Sequence, residues 1–108
     1  MATVNNLVID QGTTFSFTFN LTNVDGSAKD LTNYTIAAQI RKSYYTSTKV
    51  DFYTDTVDAE GEITISLTAT QTSNLKAGRY VYDIEIDDTT ETIRVLEGII
   101  TVTPEVTR

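Results

Sequence analysis

Along residues 13 to 21, Phe15, Phe17, Phe19 and Leu21 alternate with Ser16, Thr18 and Asn20. A period of two places all four apolar groups on one face of an extended chain, which a helix cannot do. The pattern recurs at Tyr34, Ile36, Ala38 and Ile40, at Ile63, Ile65 and Leu67, and at Tyr80, Tyr82, Ile84 and Ile86. Thr occupies 21 of 108 positions, and its β-branched side chain suits a pleated, half-exposed surface. With Pro104 the single proline, almost any segment can join a ladder without losing a donor. Asp25-Gly26, 58–61 and 87–90 supply turn chemistry between the periodic stretches. Leu7-Val8-Ile9 reads as a short first strand, Val50 and Phe52 as a short polar one, and 92–102 as the last. About seven short strands in one domain of residues 1–108 predict an all-β, immunoglobulin-like Greek-key β-sandwich.

Three local features refine this reading. Residues 69–75 lose the strand period and read as one helical turn, capped by Thr68 or Thr70 and stopped by Gly78. In the last strand the apolar phase slips, with Ile93 and Val95 on odd positions and Leu96, Ile100 and Val102 on even ones. Gly98 lies near that changeover, so the sequence places a β-bulge there. Tyr80, after Leu75-Lys76-Ala77-Gly78-Arg79, is either a tyrosine corner bonding upstream backbone or an ordinary core aromatic.

Chemistry is thin. The chain has no Cys and no His, which removes disulfides, thiolate metal sites, cysteine nucleophiles and the usual general base. A formal net charge of -7 opposes a nucleic-acid footprint, and no apolar run is long enough to span a bilayer. No basic stretch followed by an apolar run opens the chain, and no phosphate-cradling glycine motif occurs. Asp83 and Glu85 share one strand face, an acid pair in principle, but their strict alternation with Tyr82, Ile84 and Ile86 reads as a solvated face. The acidic stretches 58–62 and 83–88 lack the spacing of a calcium loop and read as polar turns, so no metal or cofactor is expected. Arg41-Lys42 followed by Tyr44 and Tyr45 joins cations to aromatics in the types enriched at protein interfaces.

Taken together, Asp10-Gln11-Gly12-Thr13-Thr14-Phe15, Asp30-Leu31-Thr32-Asn33-Tyr34-Thr35, Ile40-Arg41, Leu67-Thr68-Ala69-Thr70-Gln71-Thr72, Ala77-Gly78-Arg79-Tyr80-Val81-Tyr82-Asp83 and the ending from Leu96-Glu97-Gly98 onward resemble a family of small virion structural proteins of tailed bacteriophages. They are also similar to the amino-terminal immunoglobulin-like domain of phage baseplate upper proteins. The resemblance runs from about residue 7 to the last residue and carries no catalytic residues. It implies a non-enzymatic part of the particle, in tail, baseplate or capsid surface, assembled in the host cytoplasm. Its partners would be other virion proteins, in several copies, with no nucleic acid or membrane among them. The alternative function is a host-glycan or receptor module stacking sugars on Tyr44, Tyr45 and Tyr53. Residues 103–108 read as a short tail beyond the last strand, free or laid along a neighbour. The candidate protein contacts are therefore Arg41, Tyr44, Tyr45, Glu105 and Arg108.

Overall fold

The inward faces of the alternating segments meet in a computed structural model as two packed sheets; the structure describes residues 3–23, 25–43, 45 and 49–106. One sheet runs β1 (Thr3–Val4), β9 (Thr92–Thr103), β8 (Gly78–Asp87), β4 (Thr35–Arg41), β5 (Lys49–Asp51), with β2 (Leu7–Asp10) also on β9. The other runs β3 (Phe15–Asn20), β7 (Glu62–Leu67), β6 (Tyr53–Val57). Their core is built of Ile9, Ile40, Ile63, Ile65, Ile84, Ile86, Ile100 and Val102, each 2% exposed or less. These are the apolar members of the period-two patterns, so the architecture is an all-β, immunoglobulin-like sandwich.

The first strand is broken, and the break is managed by hydrogen bonds. β1 and β2 both pair parallel to β9, with Val4 opposite Glu97 and Leu7 opposite Ile100. Between them the Asn5 amide donates to the Glu97 carbonyl at 2.8 Å, and Asn6 Oδ1 accepts the Ile99 amide at 3.0 Å. Tyr82 Oη, reaching across from β8, donates to the Asn5 carbonyl. Gly98 makes room for this: a Cβ there would lie 2.3 Å from the Asn5 oxygen. The bulge is elsewhere. Ile84 faces Leu96 and Glu85 faces Arg94, which leaves Val95 as the extra residue. Gly98 therefore serves a close backbone approach, and the phase change sits between Val95 and Leu96.

Two further departures concern boundaries. Val50 and Phe52 do not share a strand: β5 ends at Asp51, and the buried Phe52 crosses between sheets, its amide donating to Ala38 O at 2.9 Å. β6 follows in the second sheet. β9 runs one residue past the predicted end, to Thr103, whose carbonyl accepts the Gln11 amide at 3.0 Å. Thr103 Oγ1 also donates to Asp10 Oδ1 at 2.8 Å.

Candidate functional site

One end of the sandwich is assembled around α1 (Ala69–Ser73). Thr68 caps it: its hydroxyl accepts the Gln71 amide at 3.1 Å while Gln71 Oε1 accepts the Thr68 amide at 2.9 Å, a capping box. The fully buried Thr72 donates its hydroxyl to Thr13 O at 2.7 Å and fixes the turn against the approach to β3. Gln11 ties three segments together, its Nε2 donating to Leu75 O at 2.8 Å and its Oε1 accepting the Glu105 amide at 3.2 Å. Tyr80 Oη donates to Lys76 O at 2.8 Å, four residues upstream at the opening of β8. That is the tyrosine-corner geometry, made at an exposed edge.

Beside this scaffold lies a cavity of about 430 Å³. Ile40, Val50, Leu75, Ala77 and the Tyr80 ring give it apolar walls, and Arg41, Lys42, Lys49 and Lys76 give it cations. Those four are half of the chain's eight Lys and Arg residues, and among the described residues no carboxylate lines the same cavity, although Arg41 also borders an outer-face depression that holds Asp83 and Glu85. Lys42 Nζ sits 4.7 Å from the Tyr80 ring centroid, a cation–π contact that holds the ammonium against that aromatic wall. Lys49 pairs with Asp51 at 3.4 Å, both groups largely solvated, so that pair contributes little. Arg41 Nη2 donates to Gln39 Oε1 at 3.2 Å. The low-dielectric wall behind clustered like charges concentrates a positive potential on an otherwise acidic protein.

Of the candidate contacts, Arg41 lines the cavity and Tyr45, 98% exposed, stands in the turn between β4 and β5. Glu105 belongs to the same end, bonded through its amide to Gln11 with its carboxylate over Gly12. It is a pinned part of the domain. Tyr44 and Arg108 lie outside the described residues. Sequence reasoning missed Lys49 and Lys76, which are separated by 26 residues and meet only through the fold. Gln11 was visible only as a motif residue.

Asp83 and Glu85 line, with Gln39, Arg41 and Arg94, a depression of about 380 Å³ on the larger sheet. Asp83 lies 3.3 Å from Arg94 Nε, and Arg94 Nη1 lies 3.9 Å from Glu97, on the outer face of the larger sheet. Glu85 shares that open face with Arg94. Among the described residues no three acidic side chains converge as a metal site, and no helix is long and apolar enough to cross a membrane. Tyr53, 70% exposed, lines a separate depression of about 500 Å³ with Thr14, Ser66, Thr68 and Gln71. Tyr45 does not line that depression, so the three sugar-stacking tyrosines are not gathered in one hollow.

At this level the chain is an immunoglobulin-like sandwich with one basic, aromatic-rimmed end. No protein-family model matches it, and no curated protein does. Among the solved structures that match is the crystal structure of Listeria monocytogenes InlP, with a TM-score of 0.53 and 13% identity. The match covers 94% of this chain and 28% of that one. At that identity the likeness is one of fold.

Proposed function

We propose that this chain is a non-enzymatic structural component of a tailed-phage virion, held in place by protein–protein contacts through its basic end. The observation that carries the docking surface is the gathering of Arg41, Lys42, Lys49 and Lys76 around one apolar-walled cavity on a chain of net charge -7. A partner presenting a carboxylate beside an apolar side chain complements it: the charge steers the encounter, and apolar contact with Val50, Leu75 and the Tyr80 ring holds it. The virion assignment is supported by the motif set quoted above, which falls on structural positions. Gln11 holds the Glu105 amide, Gly12 leaves room for the Glu105 carboxylate, Thr68 and Gln71 cap α1, and Tyr80 closes the corner. The partners are other virion proteins, met in several copies on particles assembled in the host cytoplasm.

The test pairs particle composition with stability. A Lys42→Glu/Lys76→Glu variant is expected to melt within a few degrees of the parent, because both side chains are exposed and only the Lys42–Tyr80 cation–π contact is lost, yet to fall several-fold in copy number on purified particles. Unchanged copy number would remove the basic end from docking. Absence of the parent chain from the particles would remove the virion reading itself.

A second reading rests on Tyr53, whose exposed ring stands beside the hydroxyls of Thr14, Ser66 and Thr68 and the Gln71 amide, groups suited to a neutral sugar. Binding of the parent chain on a glycan array, lost in Tyr53→Ala and retained in the Lys42→Glu/Lys76→Glu variant, would favour that module.

A further inference from the structure

Strand β3 ends the smaller sheet: β7 pairs on one side, and no strand among the described residues pairs on the other. Its register with β7 sets Phe15 opposite Leu67, Phe17 opposite Ile65 and Phe19 opposite Ile63. The next residue in that register, Leu21, donates its amide to Gly61 O at 2.8 Å, so the odd-numbered positions form the hydrogen-bonded pairs. The even-numbered pairs are therefore the close, non-hydrogen-bonded ones. Thr18 Oγ1 lying 2.8 Å from Thr64 Oγ1 agrees with that. It follows that the backbone N–H and C=O groups of Ser16, Thr18 and Asn20 all point away from β7, along an open edge.

Among the described residues, each other sheet edge carries a device that blocks pairing. β5 has three residues, two of them charged; β6 carries Asp55; the β1–β2 edge is broken at Asn5 and Asn6. β3 is six residues of Phe, Ser, Thr and Asn, with no charge, no proline and no break. A second, independent feature lies on its inner face. Ile63, Ile65 and Leu67 are buried, while Phe15, Phe17 and Phe19 opposite them stay half-buried, so the core opens to solvent along this edge.

We infer that two copies of the chain associate through β3, antiparallel, about a twofold axis at Thr18. One register engages all three outward residues: Ser16 facing Asn20 of the second copy, Thr18 facing Thr18, and Asn20 facing Ser16. With two bonds per facing pair, about six intermolecular backbone hydrogen bonds form. The same register sets Phe17 beside Phe19 and Phe15 beside Leu21 of the second copy, closing the open rim of both cores. Two chains of net charge -7 meet along their uncharged strip, and a threonine–threonine pair on the axis is a favourable cross-strand neighbour. The product is a continuous sheet across two sandwiches, an isologous contact that closes on itself. A single strand edge makes a small interface, so the association is weak in free solution and gains from local concentration in an assembly.

The chain has no cysteine, which allows a direct trap. In Thr18→Cys the two thiols sit on a pair whose Cα separation, about 5.5 Å, lies within disulfide range. Under mild oxidation Thr18→Cys is expected to form covalent dimer about tenfold faster than an Asp55→Cys control on the β6 edge. Independently, hydrogen exchange of the parent up to about 1 mM should protect the amides of Ser16, Thr18 and Asn20 as concentration rises. Those of Phe15, Phe17 and Phe19 should be protected throughout. Thr18→Lys, which puts two like charges on the axis, should remain monomeric in sedimentation at every concentration. Equal coupling rates for the two cysteine variants, concentration-independent exchange at Ser16, Thr18 and Asn20, or a dimer that persists in Thr18→Lys would each overturn the inference.

Discussion

Replacing Tyr82 by Phe isolates one hydroxyl that holds the first strand to the last. Tyr82 is 3% exposed, and its Oη donates to Asn5 O, the carbonyl left over where β1 breaks from β2. Its ring still packs in Tyr82→Phe, so the loss is the hydrogen bond plus the cost of a partly buried carbonyl without its donor. Asn5 is half-buried and water reaches it in part, which places the cost at about 1–2 kcal/mol near neutral pH. In a domain of this size each kcal/mol lowers the melting temperature by about 4–8 °C. The pH dependence gives a second, sharper reading. Burial pushes the Tyr82 hydroxyl up to about 12 from 10.0. A folded-state value above the unfolded one means that the stabilisation is full below pH ~10 and is lost as pH rises toward 12. By pH ~12 the parent has given up about 2 kcal/mol that the variant never had to lose. The two stability curves should therefore converge and cross between pH ~10 and 12, measured by urea denaturation at fixed temperature. Curves that stay parallel through that window would show the hydroxyl to be solvated. An unchanged midpoint near neutral pH would show that the Asn5 bond adds nothing.

Tyr80→Phe should cost less, about 0.5–1 kcal/mol, because its bond to Lys76 O is exposed; the denaturation midpoint measures it. Thr89, at φ 77°, is the one non-glycine residue with positive φ among those described, so Thr89→Gly should raise stability by about 0.5–1 kcal/mol, read as a higher melting temperature. Hydrogen bonds from the Thr32 hydroxyl and amide hold Asp30 below its ordinary carboxylate range, so its contribution is present above pH 3.8 and is lost as pH falls through the lowered value. Asp30→Asn should accordingly flatten the acid limb of the stability profile while leaving the alkaline limb unchanged.

Strands whose apolar residues face inward were legible as such. β3, β4, β7 and β8 came directly from their period of two, and the helical turn from the loss of that period, while the choice of Thr68 over Thr70 as its cap came only from the structure. β6 was not legible because its pattern is inverted: Thr54 and Thr56 are the less exposed positions, while Tyr53 and Val57 are 70% and 45% exposed. A strand that turns its polar residues inward carries no hydrophobic signal to read. The slip in β9 was visible but misplaced. Leu96, Gly98 and Ile100 already share one phase, and a residue without a side chain does not report which face it occupies. What Gly98 accommodates, the Asn5 carbonyl, lies 93 residues away in sequence and is brought to it by parallel pairing.

The site was legible in part for a different reason. Arg41, Lys42 and Tyr45 are neighbours in sequence, so their combination of charge and aromatic area could be seen directly. Lys49 and Lys76 join them only because β5 returns beside β4 and because Tyr80 and α1 fix the 74–77 segment across from it. The same fold separates charge along β8. Its opening, Gly78, lies beside Lys42, whereas its far end carries Asp87 and leads to Asp88, with Asp87 paired to Thr35 across the sheet. Asp88 is held below its ordinary range by the amides of Glu91 and Thr90, and so keeps its charge to lower pH than an ordinary carboxylate. Lys42 and Asp87 thus lie at opposite ends of the ten-residue β8, about 30 Å apart, several times the ~8 Å over which physiological salt screens charge. In the proposed docking, an acidic partner surface would be repelled by Asp87 and Asp88 and drawn by Lys42 and its neighbours, which would orient the sandwich before contact. Orientation before contact raises the productive fraction of encounters, and it weakens as salt is added.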